Sequence, residues 1–264
     1  MTARLPTVFF GHGTPMIAMK QNDTTRAWHA ILERMPRPSA ILCVSAHWLT
    51  RGIGVTAQVA PPTIHDFGGF PAEMHEMQYP APGDPALVAR VTELLAPERV
   101  IATDSWGLDH GCWTVLMKAR PQADIPVVQL SLDATRNPAE HYALGRKLRP
   151  LRDEGVLIMG TGNIVHNLSG VIRQDGVPPH DYAANFSRTI KQAIVADNPD
   201  TVINFNMLGT DAARSVPTAD HFLPLLYVLA ARHDGDRPIF EPEFIEYGSI
   251  DMTTVTLDTP LTAI

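Results

Sequence analysis

Short apolar runs that do not alternate with polar residues mark the buried strands of this chain. They lie at Thr7 to Phe10, Ala40 to Val44, Pro126 to Leu130 and Val156 to Met159. A strand with one face in water alternates polar and apolar residues, whereas a strand buried on both faces does not. The four runs therefore predict strands in the middle of a sheet that is covered on both sides.

Apolar residues at helical spacing lie between these runs and predict helices. The predicted helices are Arg26 to Met35, Pro85 to Leu95, one starting near His110, Pro138 to Asp153, Tyr182 to Asp197 and one starting near His221. Two further strands are predicted, Val100 to Thr103 and the alternating Met252 to Leu257, the latter parallel or antiparallel. Strands that alternate with helices favour a single α/β domain over residues 1–264, with a mostly parallel central sheet flanked by helices.

A histidine follows each of three predicted strands. His12 lies between two glycines after the first strand, His47 lies just past the second, and His166 follows the glycine-rich stretch after Met159. His221 is expected in the first turn of a buried helix. Ligands bind at the carboxyl ends of strands in open α/β sheets, so these side chains are expected to meet at one edge. Neutral imidazole binds zinc, iron, copper and nickel, and the cluster therefore predicts a metal site.

The prediction of a metal site depends on the four histidines together, because a single histidine after a strand is more often a loop residue than a ligand. His65 and His110 lie in aromatic, glycine-containing segments. They either line the crevice or only hydrogen-bond loop backbone, and the residues favour neither alternative. The remaining histidines are interpreted as structural, capping or surface residues, namely His29, His75, His141, His180 and His233.

The segment from Gly54 to Gly83 is rich in proline and glycine and shows no clear helical or strand period. A structureless segment of this length is unusual inside a compact domain unless it has a function. We interpret it as a covering loop over the histidine edge.

Composition narrows the range of partners and locations. The formal net charge is -7 and the 21 Lys and Arg residues are scattered, which argues against nucleic acid as a partner. Neither a membrane span nor a signal peptide is indicated. Cys43 and Cys112 lack Cys-x-x-Cys spacing, so neither a disulfide framework nor a sulfur-rich zinc site is indicated. We expect a cytoplasmic protein that is a monomer or a small homo-oligomer and does not bind membranes.

Six segments of the chain occur in an order that resembles a known family. They are Gly11-His12-Gly13-Thr14-Pro15-Met16, Ser45-Ala46-His47-Trp48, His65-Asp66-Phe67-Gly68-Gly69-Phe70-Pro71, Asp109-His110-Gly111, Gly162-Asn163-Ile164-Val165-His166-Asn167 and His221-Phe222-Leu223-Pro224-Leu225-Leu226-Tyr227. Together they resemble the 4,5-DOPA extradiol dioxygenase family of class III, LigB-type ring-cleaving dioxygenases. The resemblance extends from Phe9 to about Thr254.

The resemblance implies a role for each histidine of the cluster. His12, His47 and His221 are expected to bind a metal, and His166 is expected either as a further ligand or as an acid/base residue beside it. Better-known class III enzymes hold Fe(II) with two His and one Glu, whereas the third matching position here is His221. An all-histidine site is equally natural for zinc, so Fe(II) is expected for activity and Zn(II) is the alternative in the isolated protein. Four late carboxylates are candidates to complete the usual triad: Glu241, Glu243, Glu246 and Asp251.

The resemblance also implies a reaction, in which a small aromatic diol, a catechol, is opened by O2 to a semialdehyde. His166 and His110 are expected to move protons, and His65 and Phe67 are expected to face the substrate. Two other functions stay open. One is a zinc-dependent hydrolase that uses a metal-bound hydroxide, and the other is a non-catalytic binding protein on the same scaffold.

Overall fold

The computed structural model describes residues 4–259. Numbered along the chain, its strands are β1 Thr7–Gly11, β2 Ala40–Thr50, β3 Ile53–Thr56, β4 Val100–Thr103, β5 Val127–Asp133, β6 Val156–Gly162, β7 Arg237–Phe240, β8 Ile245–Glu246, β9 Ile250–Asp251 and β10 Val255–Asp258. Eight of them form one sheet in the order β4-β3-β5-β2-β6-β1-β10-β7, and β8 pairs with β9 in a separate ribbon. The molecule is thus built on one large sheet.

The centre of the sheet is parallel. β1 pairs with β6, β6 with β2 and β2 with β5, all in parallel, and every residue of β1, β5 and β6 is buried. This confirms the predicted fold class and explains the non-alternating runs, because both faces of these strands are covered. The predicted last strand corresponds to β10, which pairs antiparallel with β1.

Helices cover both faces of the sheet. They are α1 Asp23–Arg34, α2 Ala72–Glu76, α3 Pro85–Leu95, α4 His110–Ala119, α5 Pro138–Leu148, α6 Asp181–Val195, α7 Pro199–Ile203, α8 Thr210–Ser215 and α9 Leu223–Ala230. One apolar core contains buried residues of α3, α5, α6 and α9. The other contains α1 and α4, whose Trp28 and Trp113 are fully buried. Burial of such large aromatic side chains contributes strongly to the packing of α1 and α4 against the sheet.

Two predicted boundaries differ from the structure near the histidines. β2 continues to Thr50, so His47 lies inside the strand and not past its end. Pairing between β2 and β5 is interrupted between Val44 and Leu49, and this irregularity falls at His47. His221 lies before the helix and not in its first turn, because α9 begins at Leu223.

Other differences concern the connections. The helix predicted to Asp153 ends at Leu148 and continues as a 3-10 turn, which contains Pro150. The segment from Gly54 to Gly83 contains the end of β3 and the short α2, so it is not structureless throughout. Among residues 4–259, no helix has both the length and the apolar character needed to cross a membrane.

A buried ion pair joins the connection before β6 to the chain that leads into β7. Nη1 of Arg152 lies 2.5 Å from Oδ2 of Asp236, and both side chains are fully buried. Arg152 also donates to the carbonyl oxygens of Leu5 and Ala231, at 2.7 and 2.8 Å. Burial raises the pKa of Asp236, but the hydrogen bonds from Arg152, the His233 backbone and Thr259 outweigh it and lower the pKa. Asp236 is therefore ionised in the folded protein.

We expect Asp236→Asn to reduce the free energy of unfolding by about 3–5 kcal/mol at pH 7, because it leaves the Arg152 charge buried without its partner. Since the folded pKa of Asp236 lies below the unfolded one, its contribution is complete above the unfolded pKa and is lost as the pH falls through the folded pKa. The difference between variant and wild type should therefore shrink in acid.

Urea unfolding of both proteins at several pH values measures this difference. The matched control is Glu241→Gln, which breaks the exposed ion pair with Arg34 and should cost less than about 1 kcal/mol. Equal losses for the two variants would contradict the role given to the buried pair.

Candidate metal centre and substrate cavity

Three histidines meet at the carboxyl edge of the parallel strands. His12 directly follows β1, His47 lies near the end of β2, and His221 precedes α9, which packs against β6. Gly11 at the end of β1 pairs with Gly162 at the end of β6, so the two strands end level. Parallel strands deliver their carboxyl ends to one edge, and for this reason the three rings converge.

Two glycines allow the backbone to approach these rings closely. A Cβ atom on Gly111, in the first turn of α4, would lie 2.7 Å from Cδ2 of His47. A Cβ atom on Gly162 would lie 2.1 Å from the carbonyl oxygen of His221. Both distances are shorter than a van der Waals contact, so any larger residue would displace one of the two histidines.

The rings of His12, His47 and His221, called here the three-histidine cluster, are close enough to share one cation. Nε2 of His12 and Nε2 of His47 are 3.0 Å apart, and one nitrogen from each ring lies within 4.8 Å of the others. Burial lowers the pKa of His12 and of His47 well below the usual value, and the neighbouring histidines lower it further. Neutral rings offer the nitrogen lone pairs that a metal needs.

Polar groups behind the cluster orient it in a way that fits a metal. Nδ1 of His221 hydrogen-bonds the carboxylate of Asp220, which leaves Nε2 as the free nitrogen of that ring. The side-chain amide of Asn163 donates to the carbonyl oxygens of His12 and, at 2.9 Å, of Asp251. Nδ1 of His12 is buried without a hydrogen-bond partner in the described part of the chain. A carboxylate on the second ring nitrogen is usual for metal-binding histidines, and three nitrogen donors suit a divalent transition metal.

Two further histidines pack directly against the cluster. The ring of His166 stacks on that of His221, with centroids 3.5 Å apart and an angle of 4°. Burial, followed by the proximity of His221, lowers the pKa of His166 to about 3, so its ring is neutral near pH 7. The ring centroid of His110 lies 3.8 Å from the ring centroid of His47. Both additional histidines can therefore exchange protons with a molecule bound at the cluster.

Asp66 holds His110 at two points. Its Oδ1 accepts a hydrogen bond from the backbone N–H of His110 at 2.8 Å, and its Oδ2 lies 2.9 Å from Nδ1. Burial raises the pKa of Asp66, but the hydrogen bonds and charge of His110 outweigh it and lower the pKa. An ionised carboxylate only accepts hydrogen bonds, so Nδ1 of His110 carries the proton and Nε2 is the acceptor.

A buried network fixes the start of α4, which carries His110. Oδ1 of Asp109 accepts hydrogen bonds from Oγ of Ser45 at 2.7 Å and from the backbone N–H of Cys112 at 3.1 Å. Oδ2 of Asp109 accepts one from Nε2 of Gln129 at 2.7 Å. The network joins β2, β5 and α4, and it holds His110 at a fixed place relative to the strands.

A cavity of about 690 Å³ adjoins the cluster. It is lined by the five histidines together with Gly13, Thr14, Pro15, Phe67, Phe70, Asn163, Leu168, Val171, Arg173, Asp175, Glu246, Tyr247 and Ile250. The ring of Phe67 packs edge-on against that of His110, with centroids 5.7 Å apart, and against that of Phe70. The proline- and glycine-rich segment therefore supplies an aromatic wall, and the volume suits a substituted aromatic ring.

His65 lies behind Phe67 and outside this lining. Nε2 of His65 is 2.9 Å from the carbonyl oxygen of Met77, and its ring packs against Phe67 and Trp113. Both His65 and Phe67 were predicted to face the substrate. Phe67 lines the cavity, whereas His65 hydrogen-bonds loop backbone, which was the second alternative stated for it. The physical reason is that the hydrogen bond to the Met77 carbonyl holds the His65 ring against Phe67 and Trp113.

Of the four late carboxylates, Glu246 is the one that lines the cavity. Glu241 and Glu243 pair with Arg34 and Lys191, and Asp251 is buried and accepts a hydrogen bond from the backbone of Thr253. The groups of potential ligands found among residues 4–259 are the three-histidine cluster and His47–Asp66–His110, and neither contains Glu246. The predicted ligand His166 likewise lies beside these groups and not within them.

Neutral imidazoles gathered at the carboxyl edge of an α/β sheet, next to an aromatic-walled cavity, define a metal-dependent enzyme. Residues 6–247 match the family described as the catalytic LigB subunit of aromatic ring-opening dioxygenase, and the chain belongs to this family. The sequence resemblance is thereby confirmed.

Individual relatives cover nearly the whole chain. 4,5-DOPA dioxygenase extradiol of Escherichia coli (strain K12) is 47% identical over 261 residues, which are 97% of this chain and 96% of that protein. The protein of the same name from Beta vulgaris is 35% identical, over 94% of this chain and 96% of its own. A crystal structure of an uncharacterized protein from Escherichia coli K12 superposes with a TM-score of 0.84 at 41% identity, over 97% of this chain and 100% of the other. The chain is an enzyme of the extradiol dioxygenase type.

Several residues of the site were given no role by the sequence reasoning. They are Asp66, Asp109, Asn163, Arg173 and Asp220. Asp109 and Asp220 each directly precede a cavity histidine in the chain, and this adjacency is a signal that could have indicated supporting carboxylates. Asp66 and Arg173 had no such signal, because their place depends on the path of irregular segments.

Removal of one ring of the cluster is expected to abolish metal binding. Loss of a residue that hydrogen-bonds a metal ligand typically weakens metal binding by roughly 10- to 100-fold. In His47→Ala, where a ligand itself is lost, we expect the metal affinity to fall by more than this. Metal analysis after anaerobic loading with Fe(II), or loading with Zn(II), measures the bound ion per chain. The wild type should also gain thermal stability from the metal, and His47→Ala should not.

The matched control is His29→Ala, since His29 lies on the exposed side of α1 and hydrogen-bonds the Ala119 carbonyl. It should bind metal like the wild type. A full complement of metal in His47→Ala would contradict the assignment of His47 as a ligand.

Proposed function

We propose that this protein opens the ring of a catechol with O2 by extradiol cleavage and releases a semialdehyde. The observation that carries the proposal is that His110 and His166 pack against the three-histidine cluster. All five rings line the same cavity, which has an aromatic wall. Ring cleavage needs a site for two adjacent hydroxyl groups and acceptors for their protons. The names of the relatives support the extradiol reaction and make DOPA the first candidate substrate.

His12, His47 and His221 would hold the metal, and we propose Fe(II) as the ion of the active enzyme. When bound, such an ion acidifies the hydroxyl groups of the diol and provides the redox centre for O2. The protein contributes three uncharged donors that need no deprotonation before they bind the ion. Three protein ligands also leave positions at the metal for small molecules.

His110 is suited to accept a proton from the diol at Nε2. Its Nδ1–H is held by Asp66, whose negative charge stabilises the imidazolium that forms. His166 is proposed as the second acid/base residue, because its ring lies against His221 and belongs to neither group of potential ligands among the described residues. Because its pKa is lowered to about 3, the His166 imidazolium would form only transiently and would readily give its proton to the product.

Phe67 and Phe70 would position the aromatic ring and exclude water. The two rings contact each other edge-on, with centroids 5.2 Å apart, and Phe67 also contacts His110. A substrate ring that stacks on this wall would lie beside His110 and the three-histidine cluster. Exclusion of water keeps proton transfer between the histidines and the substrate.

A zinc-dependent hydrolase is the second candidate function, and one observation favours it. All three grouped donors are histidine nitrogens, a ligand set that zinc enzymes use to activate water. This candidate predicts turnover of an ester or amide by the zinc form without O2.

We expect the iron form to consume O2 in a one-to-one ratio with a catechol and to form a yellow product. Oxygen uptake on DOPA, caffeic acid and 4-methylcatechol, with Fe(II)-loaded and Zn(II)-loaded protein side by side, measures this. The zinc form should be inactive because zinc has no redox chemistry. Absence of uptake by a protein with confirmed iron content would rule out ring cleavage on this panel and favour the hydrolase.

His166→Ala is expected to keep its metal and to lose catalysis. General acid/base catalysis contributes about 10²- to 10⁴-fold, so kcat should fall within that range. Metal content and oxygen uptake measured on the same sample separate the two effects, with His29→Ala as the control. Full activity in His166→Ala would refute the acid/base role, and loss of the metal would instead make His166 a ligand.

A further inference from the structure

The mouth of the cavity carries charges that the proposed ring chemistry does not use. The exposed Arg173 and Asp175 and the half-buried Glu246 and Tyr247 line this outer part of the cavity, which is called here the mouth. The diol, the metal ligands and the proton-transfer residues account for the histidines but not for these side chains. Polar groups placed in a mostly apolar cavity orient a ligand and select among ligands. The charges at the mouth are therefore suited to a substituent of the aromatic ring.

Glu246 lies on the side of the mouth that is nearer to His12. A Cβ atom on Gly13, the residue after His12, would lie 3.4 Å from Oε2 of Glu246. The backbone also ties it to the site, because Glu246 pairs with Ile250 in the β8–β9 ribbon and Ile250 forms a β-bridge with His166. The carboxylate of Glu246 thus lies beside the residue that follows His12, and its strand is connected through Ile250 to His166.

The carboxylate of Glu246 lacks a cation of its own. Among the described residues it forms no ion pair, unlike Glu241 and Glu243 of the same segment. Burial raises the pKa of Glu246 and the charge of Asp175 adds to the rise, whereas the charge of Lys20 and a hydrogen bond with Tyr247 oppose it. A partly buried carboxylate in this environment gains stability when a cationic ligand binds beside it.

We propose that Glu246 binds the ammonium group of a catechol that carries an amino-acid side chain, and that Arg173 at the rim faces the carboxylate of the same side chain. The inference rests on the proposed ring cleavage and adds the residues that select the substrate. Two carboxylates and one guanidinium give the mouth a net negative charge, which favours a cationic group next to Glu246. A guanidinium recognises a carboxylate through two parallel hydrogen bonds, and Arg173 forms no ion pair with a described residue.

Binding to the zinc-loaded protein tests this selection without turnover. Isothermal titration calorimetry compares the binding of four catechols. DOPA carries an ammonium and a carboxylate group, and dopamine carries only the ammonium. 3-(3,4-Dihydroxyphenyl)propionate carries only the carboxylate, and 4-methylcatechol carries neither. In Glu246→Gln we expect about tenfold weaker binding of DOPA and dopamine, with the other two ligands unchanged. In Arg173→Gln we expect the loss for DOPA and the propionate instead, and Glu246→Asp should restore part of the affinity for dopamine.

The matched control is Glu243→Gln, which makes the same substitution three residues away, where the side chain pairs with Lys191 outside the cavity. It should bind all four ligands like the wild type. Equal weakening of all ligands in Glu246→Gln, or no change in any, would overturn the recognition role. Charge-dependent binding without oxygen uptake by the iron form would support recognition and overturn only the ring cleavage.

Discussion

The site depends on keeping several imidazole rings uncharged while they touch. Burial disfavours a charge on His12, His47 and His166, and each ring would also repel a charged neighbour. Face-to-face stacking of His166 on His221, with centroids 3.5 Å apart, would be unfavourable if both rings were positively charged. An uncharged imidazole ring also has a nitrogen lone pair that can bind a metal. Burial therefore both prevents repulsion between the rings and keeps them in the form that binds a metal ion.

The backbone, and not the side chains alone, enforces this crowding. Glycines at positions 111 and 162 let α4 and β6 approach His47 and His221 at distances that a Cβ atom would forbid. The amide of Asn163 bridges the segment after β1 to the segment before β10. Rings held in this way by strand ends and a helix start lose little freedom on binding an ion, and preorganisation of this kind strengthens binding.

The sequence predicts the central part of the fold because one physical rule governs it. Strands covered on both faces have no polar alternation, and the histidines that follow them must appear at one edge. His12, His47 and His166 follow such strands and line one cavity, whereas His221 was predicted from the start of a helix. The rule does not extend to the short β3, β7, β8 and β9, whose pairing depends on the packing of neighbouring segments.

The side chains whose place sequence reasoning could not determine lie where the chain is irregular. Asp66 meets His110 across 44 positions of the chain, a contact that no local pattern encodes. His65 and Phe67 occupy the same aromatic segment, and the direction of each ring depends on how the segment folds over Trp113. Composition identifies such a segment as part of the site without telling which of its side chains faces the cavity.

The two ends of the cavity therefore have different origins. The cluster stands on the edge of the sheet, where any change in backbone position disturbs several rings at once. The mouth is built by Glu246 and Tyr247 of the β8–β9 ribbon, which are half-buried, and by the connection that carries the exposed Arg173 and Asp175. Loops on a rigid scaffold change more easily than the scaffold itself. The rigid end thus carries the proposed metal ligands, whereas the proposed choice of catechol would be set at the mouth, where a charged residue such as Glu246 can alter recognition without moving those histidines.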